Sequence, residues 1–267
     1  MTPDDPSNGN DRLVVANGLQ RLQRYTPARI GLGRAGSGQP TAASLRFMLD
    51  HARARDAVHA ALDFEAIGQS LRERDWSVVH VRSAAGDRTE YLRRPDLGRR
   101  LSPEGRLAIG DKPRGSDVAI VAVDGLSALA IETNLLPVLD CLRPLLLVRR
   151  LTVGPLVLVE QGRVALGDEI GELLDAKLVL VLIGERPGLS AADSLGAYIT
   201  WLPRVGAMDS SRNCISNIRP AGLSPEDAAT QIVGVIELAF KHAMTGVRLN
   251  DLRGEEPILA AGSQQQA

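Results

Sequence analysis

Through the second half of the chain, unbroken apolar runs alternate with stretches whose apolar residues recur every three or four positions. Val118 to Val123 contains no polar residue and stops at Asp124-Gly125. Leu156 to Glu160 is a second strand candidate, apolar as far as Val159, and Leu178 to Ile183 is a third, ending at Gly184-Glu185. Ala197 to Leu202 is a fourth candidate strand. Between them, Ser127 to Leu142 and Asp168 to Leu174 carry helical spacing. A long helix is predicted from Pro225 to Met244, with Ser224 as its N-cap and proline in the first helical position. Apolar strands separated by helices predict an α/β fold with a parallel sheet covered on both faces.

The first half is patterned differently. Val14 to Arg24 predicts a short helix. It is followed by Pro27 to Gly38, which holds Gly31, Gly33, Gly36 and Gly38. Thr41 is placed to cap a helix running to about Ala61, with Leu45, Met48, Leu49 and Ala52 on one stripe. Asp63 is placed to cap another, up to Arg74. Val78 to Val81 and Thr89 to Leu92 read as two strands around the turn Ala85-Gly86-Asp87. The expected organisation is a disordered tail at 1–11, a mostly helical N-terminal part with a hairpin at 12–115, the α/β domain at 116–250 and a flexible tail at 251–267.

Composition removes several function classes. The 267 residues are 44% hydrophobic and 24% charged, with a formal net charge of -1. That balance gives no reason to expect nucleic-acid or anionic-membrane binding, and an aromatic share of 3% leaves few side chains on which bases could stack. The apolar runs are too short to cross a bilayer. Cys141 and Cys214 form no CxxC motif, and His51, His59, His80 and His242 show no metal-ligand spacing. Met1 to Asn10 is polar and lacks a signal-peptide pattern. A reducing, cytoplasmic setting is expected.

In a parallel sheet, ligands bind outside the carboxyl ends of the strands. The informative segments are therefore those after Val123, Glu160 and Ile183. Asp124-Gly125-Leu126-Ser127 joins a strand to a helix and suits either a ligand or a capped tight turn. Gly184-Glu185-Arg186-Pro187-Gly188 forms a fixed loop in which Glu185 either accepts hydrogen bonds in a crevice or pairs in solvent with Arg186 or Arg163. Gln161-Gly162-Arg163-Val164 is a weak turn signal. Asn213 to Asn217 carries Cys214 with no neighbouring base to activate it. Arg29 and Arg34, among the glycines, suggest either an anion nest or a structural loop. A stand-alone α/β module holding a nucleotide or phosphate at Asp124 and Glu185 remains open. A nicotinamide cofactor is disfavoured because Asp124-Gly125-Leu126-Ser127 is not a GxGxxG fingerprint.

The ordered set of motifs carries further. PARIGLGRAG (27–36), LRFMLDHARARD (45–56), YLRRPDLGRRL (91–101), VDGLS (123–127), GRV (162–164), GERPGL (184–189) and CISNI (214–218) together resemble the ethanolamine ammonia-lyase small subunit, across about Tyr25 to Gly246. The resemblance implies a Rossmann-like C-terminal part and a large TIM-barrel subunit as partner. It also implies a higher hetero-oligomer, with adenosylcobalamin (coenzyme B12) at the interface between the two subunits. It implies radical conversion of ethanolamine to acetaldehyde and ammonia, with substrate held mainly by the large subunit. The cobalamin contacts it implies fall on Val164, Glu185 and Cys214. Asp50 and His51 are adjacent, so the Asp-x-His-x-x-Gly motif is absent, and the cofactor is expected to keep its own base on cobalt. Longer relatives carry an N-terminal extension linked to a bacterial microcompartment, which is the alternative setting to open cytoplasm.

Overall fold

The computed structural model describes residues 13–255 of the 267-residue chain. The tail expected at 1–11 and residues 256–267 of that expected at 251–267 lie outside these residues. Two compact units are distinguished: 1–56 with 188–192, and 57–187 with 193–267.

The larger unit holds helix α2 (Phe64–Arg72), β1 (Val78–Arg82), α3 (Arg88–Arg93), α4 (Pro103–Gly110), β2 (Val118–Val123), α5 (Ala128–Val148), β3 (Leu156–Glu160), α6 (Leu166–Leu173), β4 (Leu178–Gly184), β5 (Leu195–Trp201), β6 (Arg212–Ile218) and α7 (Pro225–His242). The strands form one six-stranded sheet in the order β1-β3-β2-β4-β5-β6. Every residue of β2 and β4 is buried, as their unbroken apolar runs require. Side chains alternate across the sheet. Ile120, Leu180 and Leu182 pack on one face with Ile131 and Leu135 of α5 and Ile232 and Ile236 of α7. Val121, Val179 and Val181 pack on the other face with Leu166 and Ile170 of α6 and Ile109 of α4. Each such buried side chain contributes about 1.5–3 kcal/mol.

The sheet is mixed, not wholly parallel as expected. β1, β3, β2 and β4 run parallel, whereas β5 is antiparallel to β4 and β6 to β5. A parallel return needs a crossover of a dozen or more residues, usually helical. The connections at 185–194 and 202–211 are too short for one, so the chain reverses. The expected hairpin is also replaced. β1 pairs with β3, and Arg88–Arg93 is a helix because the Asp87 carboxylate accepts from the Glu90 N–H at 2.8 Å. The sheet therefore takes its outermost parallel strand from the segment assigned to the N-terminal part.

The cap predicted for α7 is present: the Ser224 hydroxyl accepts from the Asp227 N–H at 3.1 Å. Likewise Asp63 caps α2 through the Ala66 N–H at 3.0 Å. The C-terminal helix α8 (Val247–Glu255) enters the segment expected as a tail.

In the smaller unit, Gly18–Tyr25 forms a 3-10 helix where an α-helix was expected. Helix α1 runs Thr41–His59. Gly31 and Gly33 adopt φ of 61° and 74°, and a Cβ on either would strike backbone atoms. Arg29 pairs with Asp50 at 2.5 Å and lies 5.5 Å from the Phe47 ring centroid, so its charge is spent within the unit and not on an anion nest. Leu45, Met48 and Leu49 of the predicted stripe are 60%, 64% and 51% exposed. Among the described residues, no helix is long and apolar enough to cross a membrane.

Candidate functional site

From β2 the chain passes through α5 to β3 on one side of β2. It then returns through α6 to β4 on the other side. The loops after β2 and β4 thus meet at a topological switch point, where open α/β sheets leave a crevice. They are pressed together: the Leu126 N–H donates to the Gly184 carbonyl at 2.9 Å. A Cβ on Gly125 (φ 57°) would lie 2.2 Å from that same oxygen. No larger residue fits at Gly125 without moving the loop that carries Glu185.

A concavity of about 430 Å³ opens here, lined by Tyr91, Leu126, Arg163, Val164, Glu185 and Tyr198, among others. The Glu185 carboxylate is fixed by the Ser194 hydroxyl, which donates at 2.6 Å, with Ser216 Oγ and the Asn217 N–H each at 3.4 Å. A second concavity of about 270 Å³ shares Arg163, Val164 and Tyr198, and adds Arg99, Arg212 and Cys214. Three shared residues make the two concavities neighbours, with Val164 between them. A larger groove of about 650 Å³ runs past Ser77, Trp76, Arg143 and Val153. Ser77 and Val153 precede β1 and β3, so that groove lies at the amino ends of the strands, away from the switch point.

Tyr198 and Cys214 close part of the second concavity. They are direct cross-strand partners on β5 and β6. Burial pushes the Tyr198 hydroxyl well above its ordinary value, and the neighbouring Cys214 pushes the same way. The Cys214 thiol is also raised, first by lost hydration. The hydrogen bond from Tyr198 pulls it down and the Glu185 charge pushes it up. The site therefore holds a neutral hydroxyl and a neutral thiol near pH 7, with no activated nucleophile there. Beneath them Arg212 is buried against Asp168, donates to Thr200 Oγ1 at 3.2 Å and holds the Ala207 carbonyl at 2.9 Å.

Tyr91 lines the first concavity. Its hydroxyl donates to the Gly162 carbonyl at 3.0 Å, and its ring meets the Arg163 and Arg88 guanidiniums at 4.3 and 4.9 Å. Burial pushes its pKa up to about 12. Arg88 ties the loop after β2 into place, donating to the Gly125 carbonyl at 2.8 Å and to the Val58 carbonyl at 2.8 Å.

Of the residues singled out from sequence, Val164 lines both concavities, Glu185 the first and Cys214 the second. Asp124 does not. Its carboxylate turns inward, 6% exposed, accepting from the Gln161 N–H at 2.7 Å and lying 3.4 Å from Arg88. Burial raises its pKa to about 7 despite the Arg88 charge. It is a structural carboxyl, and the nucleotide-binding alternative loses one of its two anchors. Sequence reasoning gave Arg163 only as a solvent partner for Glu185 and part of a weak turn signal, gave Tyr91 only as part of a strand and a motif, and did not single out Tyr198. The scarcity of aromatic residues was the available signal for the two tyrosines, and the strand-end position was the signal for Arg163.

The family model described as the ethanolamine ammonia-lyase light chain matches residues 16–250. The chain is 51% identical over 254 residues to an ethanolamine ammonia-lyase small subunit from Azotobacter vinelandii, covering 94% of each chain. It is 49% identical over 253 residues to a protein of that name from Pseudomonas syringae pv. tomato, covering 93% of this chain and 88% of the relative. A third, from Ralstonia nicotianae, is 45% identical over 262 residues, covering 97% of each.

Proposed function

Because the chain belongs to the ethanolamine ammonia-lyase light-chain family, we propose that it is the small subunit of an ethanolamine ammonia-lyase and holds adenosylcobalamin against a large catalytic subunit. The observation that carries this proposal is the joint placement of Val164, Glu185 and Cys214 around two adjoining concavities at the carboxyl ends of a buried sheet. When bound, adenosylcobalamin supplies, by homolysis of its cobalt–carbon bond, the radical that begins conversion of ethanolamine to acetaldehyde and ammonia.

The residues present suit such a ligand. Both concavities are open and together offer an apolar contact at Val164, an acceptor at Glu185 and a polarizable packing surface at Cys214. Glu185, its carboxylate held in place by Ser194, would accept from the ligand's amide side chains. Tyr198 stays protonated and presents an uncharged wall. The parallel half of the sheet, β1-β3-β2-β4 with helices on both faces, supports a Rossmann-like description of this domain.

In this reading substrate chemistry belongs to the large subunit, for which the family resemblance implies a TIM barrel. The exposed stripe Leu45, Met48 and Leu49 of α1 supports an N-terminal partner-contacting segment in the hetero-oligomer.

Co-expression with a large subunit is the test. The complex should release acetaldehyde and ammonia from ethanolamine only when adenosylcobalamin is added, and the isolated chain should release neither. Turnover by the isolated chain, or by the complex without cobalamin, contradicts the proposal.

A further inference from the structure

Arg163 is the one charged residue that lines both concavities. Its guanidinium rests on the Tyr91 ring at 4.3 Å, and one Nη group donates to the Tyr91 carbonyl at 3.3 Å. Its main-chain N–H is fixed to the Gly98 carbonyl at 2.7 Å, so the residue is held at both ends. Its Nε–H is buried without a partner, and among the described residues no carboxylate forms an ion pair with it. The other buried cation at the site, Arg212, is neutralised by Asp168. The carboxylates lining the concavities are otherwise engaged: Glu185 by Ser194, and Asp209 by Arg212 at 3.5 Å. Arg186 adds positive charge to the first concavity and Arg99 to the second.

A fixed, half-buried guanidinium that lines both concavities and is neutralised by no carboxylate calls for a charged acceptor. We infer that Arg163 is the seat for an anionic phosphodiester carried by the bound ligand. This rests on the cobalamin reading, in which the ligand's nucleotide loop contains one phosphodiester and its corrin amides carry no charge. Arg163 then fixes the nucleotide end at the junction of the two concavities, with Arg99 and Arg186 adding long-range attraction. The seat distinguishes complete corrinoids from those that lack a phosphate.

The test measures dissociation constants of the co-expressed complex for adenosylcobinamide and for adenosylcobinamide phosphate by absorbance titration. The two ligands differ only in the phosphate. The wild-type complex should bind the phosphate form roughly tenfold to a hundredfold more tightly. Arg163→Gln retains a stem over Tyr91 but removes the charge, and it should abolish that preference. Arg163→Lys should keep part of it. Equal binding of both ligands by the wild type, or an unchanged preference in Arg163→Gln, overturns the seat and leaves the cobalamin reading standing. Failure of the wild-type complex to bind both corrinoids and adenosylcobalamin itself overturns the cobalamin reading and the seat with it.

Discussion

Tyr198 and Cys214 face one another across the antiparallel pair β5 and β6, with hydroxyl hydrogen-bonded to thiol at the edge of a concavity shared with Val164. The pairing places a neutral thiol where a bound ligand would cover it. The alkylation rate of Cys214 should therefore rise with pH around an inflection above the ordinary 9.0. Tyr198→Phe should move that inflection higher, because the hydrogen bond that favours the thiolate is lost. Added corrinoid should slow alkylation in the complex. Mass-spectrometric rate profiles decide the matter, and an inflection at or below 9.0 would show the thiol environment to be wrongly described.

Asp124 gives the fold a pH dependence of defined sign. Its native pKa is raised from 3.8 to about 7, by burial first, so the folded chain keeps a proton that the unfolded chain releases in this window. The stability associated with that proton is fully present below pH 3.8 and is lost as pH rises through about 7. The slope is at most about 1.4 kcal/mol per pH unit. Asp124→Asn, which cannot ionise, should lack this component. Urea unfolding of both proteins from pH 4.5 to 7.5 should show the wild type losing stability relative to the variant. Parallel curves would contradict it.

The Arg212–Asp168 pair is 3% and 1% exposed at its side chains, so each charge depends on the other. Removing one partner strands the other in a low-dielectric setting. Asp168→Ala should cost about 3–5 kcal/mol in denaturant unfolding. The double variant Asp168→Leu with Arg212→Met should recover most of that loss. If the single variant is nearly neutral, the pair does not anchor β6 to α6.

Met48 is 64% exposed beside Leu45 and Leu49 on α1. Met48→Glu should weaken co-purification with the large subunit while leaving the melting temperature of the isolated chain nearly unchanged. Undiminished co-purification would place the partner contact elsewhere.

The parallel core was legible because β2, β3 and β4 are buried on both faces and their sequences admit almost no polar residue. β6 was hidden for the opposite reason. Its pattern includes buried Arg212 and Asn213, which enter the interior only because Asp168, Thr200, Gly246 and Asn250 satisfy them. No local period announces such a strand. The misread hairpin did have a signal: Asp87 caps the Glu90 N–H, and Glu90 Oε2 reaches back to accept from the N–H of Gly86, one residue before the cap, at 2.7 Å. An acidic residue followed three positions later by Glu marks a helix start even when Tyr91-Leu92 suggests a strand. At the site, the loops after the strands were found by position alone. The inward turn of Asp124 and the unpaired state of Arg163 depend on partners distant in sequence, namely Gln161, Arg88 and Tyr91.

Val164 lies between the two concavities, so filling that point tests the shared cofactor surface most directly. Val164→Trp and the wild type should each be co-purified with the large subunit and titrated with cobalamin, binding being read from the corrinoid absorbance spectrum. The wild-type complex should bind, and the variant should assemble equally well but lose corrinoid affinity by at least about tenfold. Equal affinity in the two complexes would contradict a cofactor seated on Val164, Glu185 and Cys214.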